Sequence, residues 1–455
     1  MTLENALAEL DRLLPAGAPA ARTDFLYRLA LLAHGRSGGK ISILPSAWPA
    51  DVSWLSVWYT PGVSAVSRAI RDDPDRSFDL TGRASRVAIV TDSTRVLGDG
   101  DCGPAGGMGV MEGKALLMKL LGGFDAVPLC LDTRDDSGTS LSGRMIEAVA
   151  SLEPSFGAVN LEDISQPACY RVLSALQARL SIPVWHDDAQ GTACVVLAGL
   201  LNALEVTGRA LESSRIVLLG AGASNSAAAR LLTAAGAPPE NLAIFDSRGP
   251  LSPDRMERYS GEGWEWHRKL CLVSGSGAFS SAQEALRGAD VLIAASKPGP
   301  GTVPPEWVRS MAPGAVVFAL ANPVPEIYPG EALEAGAAVA ATGRGDFPNQ
   351  VNNALAFPGV LKGALLVRSR GISDGMAVAA ARALACHARK HGISPRMILP
   401  GMDDSGVAPA VAAAVAERAV AEGLARRPAP PSEVSAAAAR DIAAVRGSCE
   451  ALAAS

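Results

Sequence analysis

Residues 215–232 read RIVLLGAGASNSAAARLL. An apolar run, two glycines one residue apart and an alanine-rich stretch follow one another without a break. This is a strand, a tight turn and a helix. Missing side chains at Gly220 and Gly222 let the backbone approach a pyrophosphate, and the helix N-terminus supplies free N–H groups and partial positive charge. The next apolar run, NLAIFDSRG, ends in Asp246, placed to bond a ribose hydroxyl, while Arg248 suits a 2′-phosphate, so NAD and NADP both remain open. Asn225 occupies the third glycine position, where close helix–strand packing calls for a small residue. Ala223, Ser224, Asn225, Ser296 and Asn322 join these as expected cofactor contacts.

The same alternation continues outward. From residue 241 come NLAIFDSRG, ADVLIAAS, AVVFALANP and AAVAATG, separated by helical stretches, which is the order of a doubly wound Rossmann-type domain. Before it, from residue 84, SRVAIVTDS, DAVPLCLDT and FGAVNLEDIS alternate with helical GVMEGKALLMKLLGG, MIEAVASLEPS and RVLSALQARL. That pattern implies a second α/β layer with largely parallel strands. The helix GTACVVLAGLLNALEVTG bridges the two series. The expected division is therefore an N-terminal α/β catalytic domain over 1–190, the dinucleotide domain over 191–425, and a Pro-rich hinge (RRPAPPSE, 426–433) with a short helix over 426–455.

The carboxyl edge of the first sheet gathers acid. Glu162 and Asp163 follow one strand, and Asp187 and Asp188 follow the next, so all four should arrive at the edge where ligands bind parallel sheets. Converging carboxylates attract a hard divalent cation, Mg²⁺ or Mn²⁺. Taken singly, each pair reads better as helix capping or a solvated face; their similar placement after successive strands is what favours the metal. Lys114 and Lys119 interrupt an otherwise apolar helix. Lys119 can snorkel to water, whereas Lys114 is a candidate base if it lies beside the carboxylates.

Bulk properties narrow the class. The chain has 455 residues, is 19% charged and carries a formal net charge of −5, a globular composition with no electrostatic call for nucleic acid or an anionic membrane. The N-terminal MTLENALAELDRLL reads as a capped amphipathic helix and not as a signal peptide, and no apolar stretch is expected to reach the length needed to span a bilayer. Seven cysteines without a CxxC imply free thiols and a cytoplasmic setting. The histidines at 34, 186, 267, 387 and 391 are read as scattered, without metal-ligand spacing, and His186 as a hydrogen-bonded structural residue.

Together, WYTPGV (58–63), VMEGKALL (110–117), NLEDIS (160–165), HDDAQGTA (186–193), GAGAS (220–224), ALANPVPEI (319–327) and DFPNQVNNALAFPG (346–359) resemble the malic enzyme family, in the order and spacing of its short bacterial form. The resemblance implies oxidative decarboxylation of malate to pyruvate and CO₂ with NAD or NADP and Mg²⁺ or Mn²⁺, in a homodimer or larger homo-oligomer. It implies Lys114 as general base, Tyr59 as general acid and Asp187 beside the lysine. Glu162, Asp163 and Asp188 would be metal ligands, and Arg95, Asn322, Asn352 and Asn353 would hold substrate carboxylates. The chain departs from the family at DSTRVLGDGDCGP (92–104), where Ser93, Asp99 and Cys102 are substituted and Asp99 is set to compete for Arg95. That departure leaves a second reading, a paralogue oxidising another acidic 2-hydroxy acid. A non-catalytic nucleotide-binding regulator is a third, against which Lys114 and Tyr59 argue.

Overall fold

A computed structural model describes residues 19–37, 39–43, 45, 51–96 and 99–454. The helix expected over 1–14, and Leu97 and Gly98 of the glycine-rich stretch, lie outside the described residues. The chain divides into two units, Met1–Ala50 and Asp51–Ser455. In the first, the described secondary structure is the helix Pro19–Ser37.

The second unit contains two sheets. Strands β1 (Arg86–Thr91), β2 (Asp125–Cys130), β3 (Ala158–Leu161) and β4 (Val184–His186) form an all-parallel sheet in the order β2-β1-β3-β4. Strands β5 (Ile216–Leu219), β6 (Leu242–Asp246), β7 (Gly249–Pro250), β8 (Val291–Ala294), β9 (Val316–Ala319) and β10 (Val339–Thr342) form the other, ordered β10-β9-β8-β5-β6-β7. All its pairs are parallel except β6–β7, and the expected α/β class with a doubly wound domain is what forms. Both faces of these strands are covered, which is why they read as unbroken Val, Ile, Leu and Ala runs instead of alternating. Each large aliphatic side chain so buried stabilises by about 1.5–3 kcal/mol.

The bridge between the sheets corrects one expectation. Residues Asp187–Val206 are, by length and composition only, long and apolar enough to cross a membrane. They are instead a core helix, with Ala193–Leu200 fully enclosed by protein, so length and composition alone mislead here. Helix Asp374–Lys390 packs on this bridge, and Phe357–Leu366 and Val407–Ala421 pack on that helix and on each other within the same core. The C-terminal helix Pro431–Ala454 seats on Met108–Gly122 and is pinned by Lys362 Nζ, 2.5 Å from Asp441.

Candidate active site

Parallel strands β3 and β4 end side by side, which delivers two acidic turns to one edge. Past β3, Asp163 adopts φ 53°, a left-handed backbone that aspartate tolerates better than most residues. This turns its N–H toward Asp188, whose Oδ2 accepts at 2.8 Å. Past β4, Asp187–Gly191 form a single π-helical turn before the bridging helix begins. The wider turn leaves room for the Asp187 carboxylate against Gly191, where a Cβ would stand 1.8 Å from Oδ1.

Lys114 reaches this edge from the helix Met108–Gly122. Its Nζ lies 2.6 Å from Asp187 Oδ2 and 2.8 Å from Glu162 Oε1, over the ring of Phe357. Trp185 Nε1 donates to Asp187 Oδ1 at 3.2 Å, and Asn160 Nδ2 donates to Glu162 Oε2 at 2.8 Å, so both carboxylates are held by their second oxygens. Burial alone would lower the Lys114 pKa. Asp187 and Glu162, with Asp188 behind them, outweigh it and hold the amine above the ordinary lysine value. In the chain alone Lys114 is therefore an ammonium, and the carboxylate opposition to a working base prevails. Burial also raises Glu162 and Asp187; Lys114 opposes this, while neighbouring carboxylates add to it.

The turn before Lys114 accommodates the substituted glycine-rich stretch. Ser93 sits at φ 57°, its N–H bonded to Thr91 Oγ1 at 2.8 Å. Its hydroxyl occupies the space a Cβ on Gly107 would need, 2.0 Å away, so serine fits here only because residue 107 is glycine. Arg95 is exposed and tied by its backbone N–H to Asp163 O at 3.0 Å. No ion pair joins it to Asp99 among the described residues, against the expected competition. Asn353 packs beside Gly191. Asn352 spends its side chain capping a short turn, accepting from Ala354 N at 2.9 Å. Asn322 is exposed next to Gly343. Tyr59 is 72% exposed, and no hydrogen bond or ion pair links it to Lys114 or the carboxylates among the described residues. His186 is buried without a hydrogen bond to either ring nitrogen, its Nδ1 3.8 Å from Asp188, so it is structural by packing alone. Burial lowers its pKa, with Asp188 opposing.

A cavity of about 540 Å³ opens over the dinucleotide turn, lined by Gly220, Ala221, Gly222, Asp246, Arg258 and Ser296 among others. Gly220, at φ 100°, leaves no room for a side chain: a Cβ would lie 2.3 Å from Ala295 O. Asp246 is gripped by Arg255 Nη2 at 2.8 and 2.9 Å, by Tyr259 Oη at 2.8 Å and by Arg258 Nε at 3.2 Å. Burial would raise its pKa, but the bonds from Arg255 and Tyr259 hold it below the usual carboxylate range.

Three of the expected cofactor contacts have other surroundings in the chain itself. Asn225 faces inward, its Nδ2 donating to Leu219 O, Gly220 O and Ile293 O at 2.9–3.3 Å, so it ties strand ends together where a glycine would let helix and strand close up. Ser224 Oγ donates to Asp188 O at 3.0 Å and joins the dinucleotide helix to the acidic turn. Arg248 is exposed off the cavity; Arg258 is the arginine on its wall.

Comparison with known proteins matches the same two halves. Residues 39–177 fit the malic enzyme N-terminal domain, and residues 189–420 fit the malic enzyme NAD binding domain. This chain belongs to the malic enzyme family. It is 42% identical to the NAD-dependent malic enzyme of Geobacillus stearothermophilus, over 86% of this chain and 78% of that one. It is 38% identical to the NADP-dependent malic enzyme of Halomonas elongata, over 90% and 97%. The crystal structure of Entamoeba histolytica malic enzyme superposes with a TM-score of 0.95 at 48% identity, covering 98% of this chain and 93% of that one.

Within this family fold, one residue that sequence reasoning passed over is Glu326. It is fully buried, and it accepts from Ser296 N at 2.7 Å, Ser296 Oγ at 3.1 Å and Ala321 N at 3.1 Å, bracing the cavity wall. Its signal was a lone acid inside the apolar run PVPEI. Arg255, Arg258 and Tyr259 carried no comparable signal, because the short helical turns that present them have no periodic pattern.

Proposed function

We propose that this chain oxidises malate with NAD⁺ or NADP⁺ and decarboxylates the product to pyruvate. The observation that carries the reading is Lys114 clasped between Asp187 and Glu162, at a parallel-sheet edge that the dinucleotide helix reaches through Ser224. Lys114 is placed to exchange the C2 hydroxyl proton, and Asp187, bonded to it, orients the amine. Arg95 and Asn353 supply donors for the substrate's carboxylates on either side of the acidic turn. Proton delivery to C3 is assigned to Tyr59 by family resemblance.

Mg²⁺ or Mn²⁺ fits the donor set of Glu162, Asp163 and Asp188. Burial raises the Glu162 pKa and the neighbouring Asp188, Asp187 and Asp163 carboxylates add to it, and a hard divalent cation relieves that repulsion with oxygen ligands. Held there, it would stabilise the C2 oxygen and the enolate and weaken the carboxylates' hold on the Lys114 proton. Bound along Gly220–Gly222, the dinucleotide would accept hydride from C2. The exposed Trp54, Leu55, Val57 and Trp58 form an apolar surface that supports a homo-oligomer. Cytoplasmic residence is proposed on the free thiols of Cys169, Cys194 and Cys271, which persist in a reducing compartment.

The test is turnover of L-malate with Mn²⁺, followed by nicotinamide absorbance and pyruvate formation with each dinucleotide. Lys114→Ala should cost about 10²–10⁴ in kcat. Unchanged turnover in that variant, or dinucleotide reduction without pyruvate, would refute the assignment.

A further inference from the structure

Outside the carboxylate turn, the last turn of the helix Asp374–Lys390 carries His387, and His391 follows directly at the helix end. The two are four residues apart on one face, the spacing with which helical histidines share a metal, so reading the histidines as scattered was wrong for this pair. Their rings are 4.9 Å apart. Across from them, Asp404 Oδ2 lies 2.8 Å from His387 Nε2 and 4.0 Å from His391 Nε2. One ligand atom from each of the three residues falls within 4.8 Å of the others.

We propose that His387, His391 and Asp404 form a binding site for Zn²⁺, separate from the catalytic carboxylates. Tetrahedral zinc with bonds near 2.0–2.1 Å sets its ligand atoms about 3.3 Å apart. The two Asp404 distances of 2.8 and 4.0 Å straddle that value and all three ligand atoms lie within 4.8 Å of one another, so a swing of the His391 side chain, which is 61% exposed, would close the site. Asp404 is already oriented. Its Oδ1 accepts from Gly406 N at 2.9 Å, an outer bond of the kind that holds a metal-binding carboxylate in place. Gly406 also gives His387 its space, since a Cβ there would stand 2.7 Å from Cε1. The helix end adds the negative pole of its dipole.

Donor chemistry separates this site from the catalytic one. Two imidazoles and one carboxylate suit a borderline cation such as zinc, whereas the carboxylates after β3 and β4 suit magnesium or manganese. Three protein ligands leave a fourth position for water. Asp404 shares a small cleft with Ala354, Leu355, Leu121 and Ile442. A metal there would tie the end of one helix to the loop before Val407, behind the turn that carries Asn353, and would stiffen this region.

The experiment uses the full chain without an affinity tag, in excess Mg²⁺ to occupy the carboxylate turn. Zn²⁺ is titrated against a chromophoric chelator, and thermal midpoints are recorded with and without Zn²⁺. The chain should take up one equivalent, and its midpoint should rise. His391→Asn, an exposed substitution compatible with the fold, should weaken uptake by more than about tenfold, the cost already typical of losing only an outer partner. It should also abolish the shift in midpoint, while Asp188→Asn retains both. No zinc uptake in excess Mg²⁺, or uptake unaltered by His391→Asn, overturns the proposal. Neither result bears on malate turnover, which is tested separately through Lys114.

Discussion

Adding one methyl group at Gly191 should disable the site while leaving every catalytic atom in the protein. An alanine Cβ there would stand 1.8 Å from Asp187 Oδ1 and 2.8 Å from its Cγ. The carboxylate has little freedom to yield, because it is fully buried, with Oδ1 bonded to Trp185 and Oδ2 to Lys114. Relieving the clash requires a retreat of roughly 1 Å, and misplacement on that scale costs about 10²-fold in rate. Breaking a buried ion pair outright costs about 3–5 kcal/mol. Glu162 still pairs with Lys114 at 2.8 Å, so the stability loss should fall below that range. The assay is kcat for malate in Gly191→Ala beside Asp187→Asn, with dinucleotide affinity and a melting curve as controls. The two variants should lose kcat to a similar degree while both still bind dinucleotide. A Gly191→Ala enzyme that is folded and turns over at the wild-type rate would show that the Lys114–Asp187 contact is not needed in this geometry.

Gly222 tests the cavity in the opposite sense. Nothing lies within 4 Å of a Cβ built there, so Gly222→Ala should fold normally and place its methyl only where the dinucleotide approaches. A penalty of about 1–3 kcal/mol corresponds to roughly a 5–150-fold rise in dinucleotide KM, with malate KM little changed; an unchanged dinucleotide KM refutes the placement. His267 supplies a pH prediction. Its Nε2 donates to Ala221 O at 3.0 Å, and burial lowers its pKa from 6.5 to about 4, with that bond opposing. The unfolded chain therefore binds a proton that the folded chain refuses. Stability is full above about pH 6.5 and falls toward pH 4, by roughly 3 kcal/mol from this group. His267→Asn should flatten that acid limb relative to wild type in urea melts, and parallel limbs would contradict it.

Much of this molecule is legible along the chain. The strands from Arg86 to Thr342 and the turn at Gly220–Gly222 are encoded locally, because parallel strands buried on both faces must be apolar throughout and a pyrophosphate turn must lack side chains. The carboxylates were legible as candidates because successive parallel strands end at one edge. Their partners were not. Whether Lys114 meets Asp187 or Glu162 depends on how the helix Met108–Gly122 packs, and only the fold shows that it meets both and is held protonated by them.

Local pattern also says little about side chains whose direction is set by distant neighbours. Asn225 and Ser224 lie in the dinucleotide motif, yet they bond strand ends and Asp188 O. Arg258 stands on the cavity wall where Arg248 was expected. Asp187–Val206 carries a membrane-like composition but is enclosed by helices drawn from the far end of the chain. The sequence by itself determined the family, the α/β alternation and the residues able to do chemistry, since these depend on composition and short-range spacing. Tertiary structure alone decided which charges meet, which polar groups turn inward, and that His387 and His391 share a carboxylate from the next loop. Those contacts join residues far apart in sequence, and their energies exist only once the chain has closed on itself.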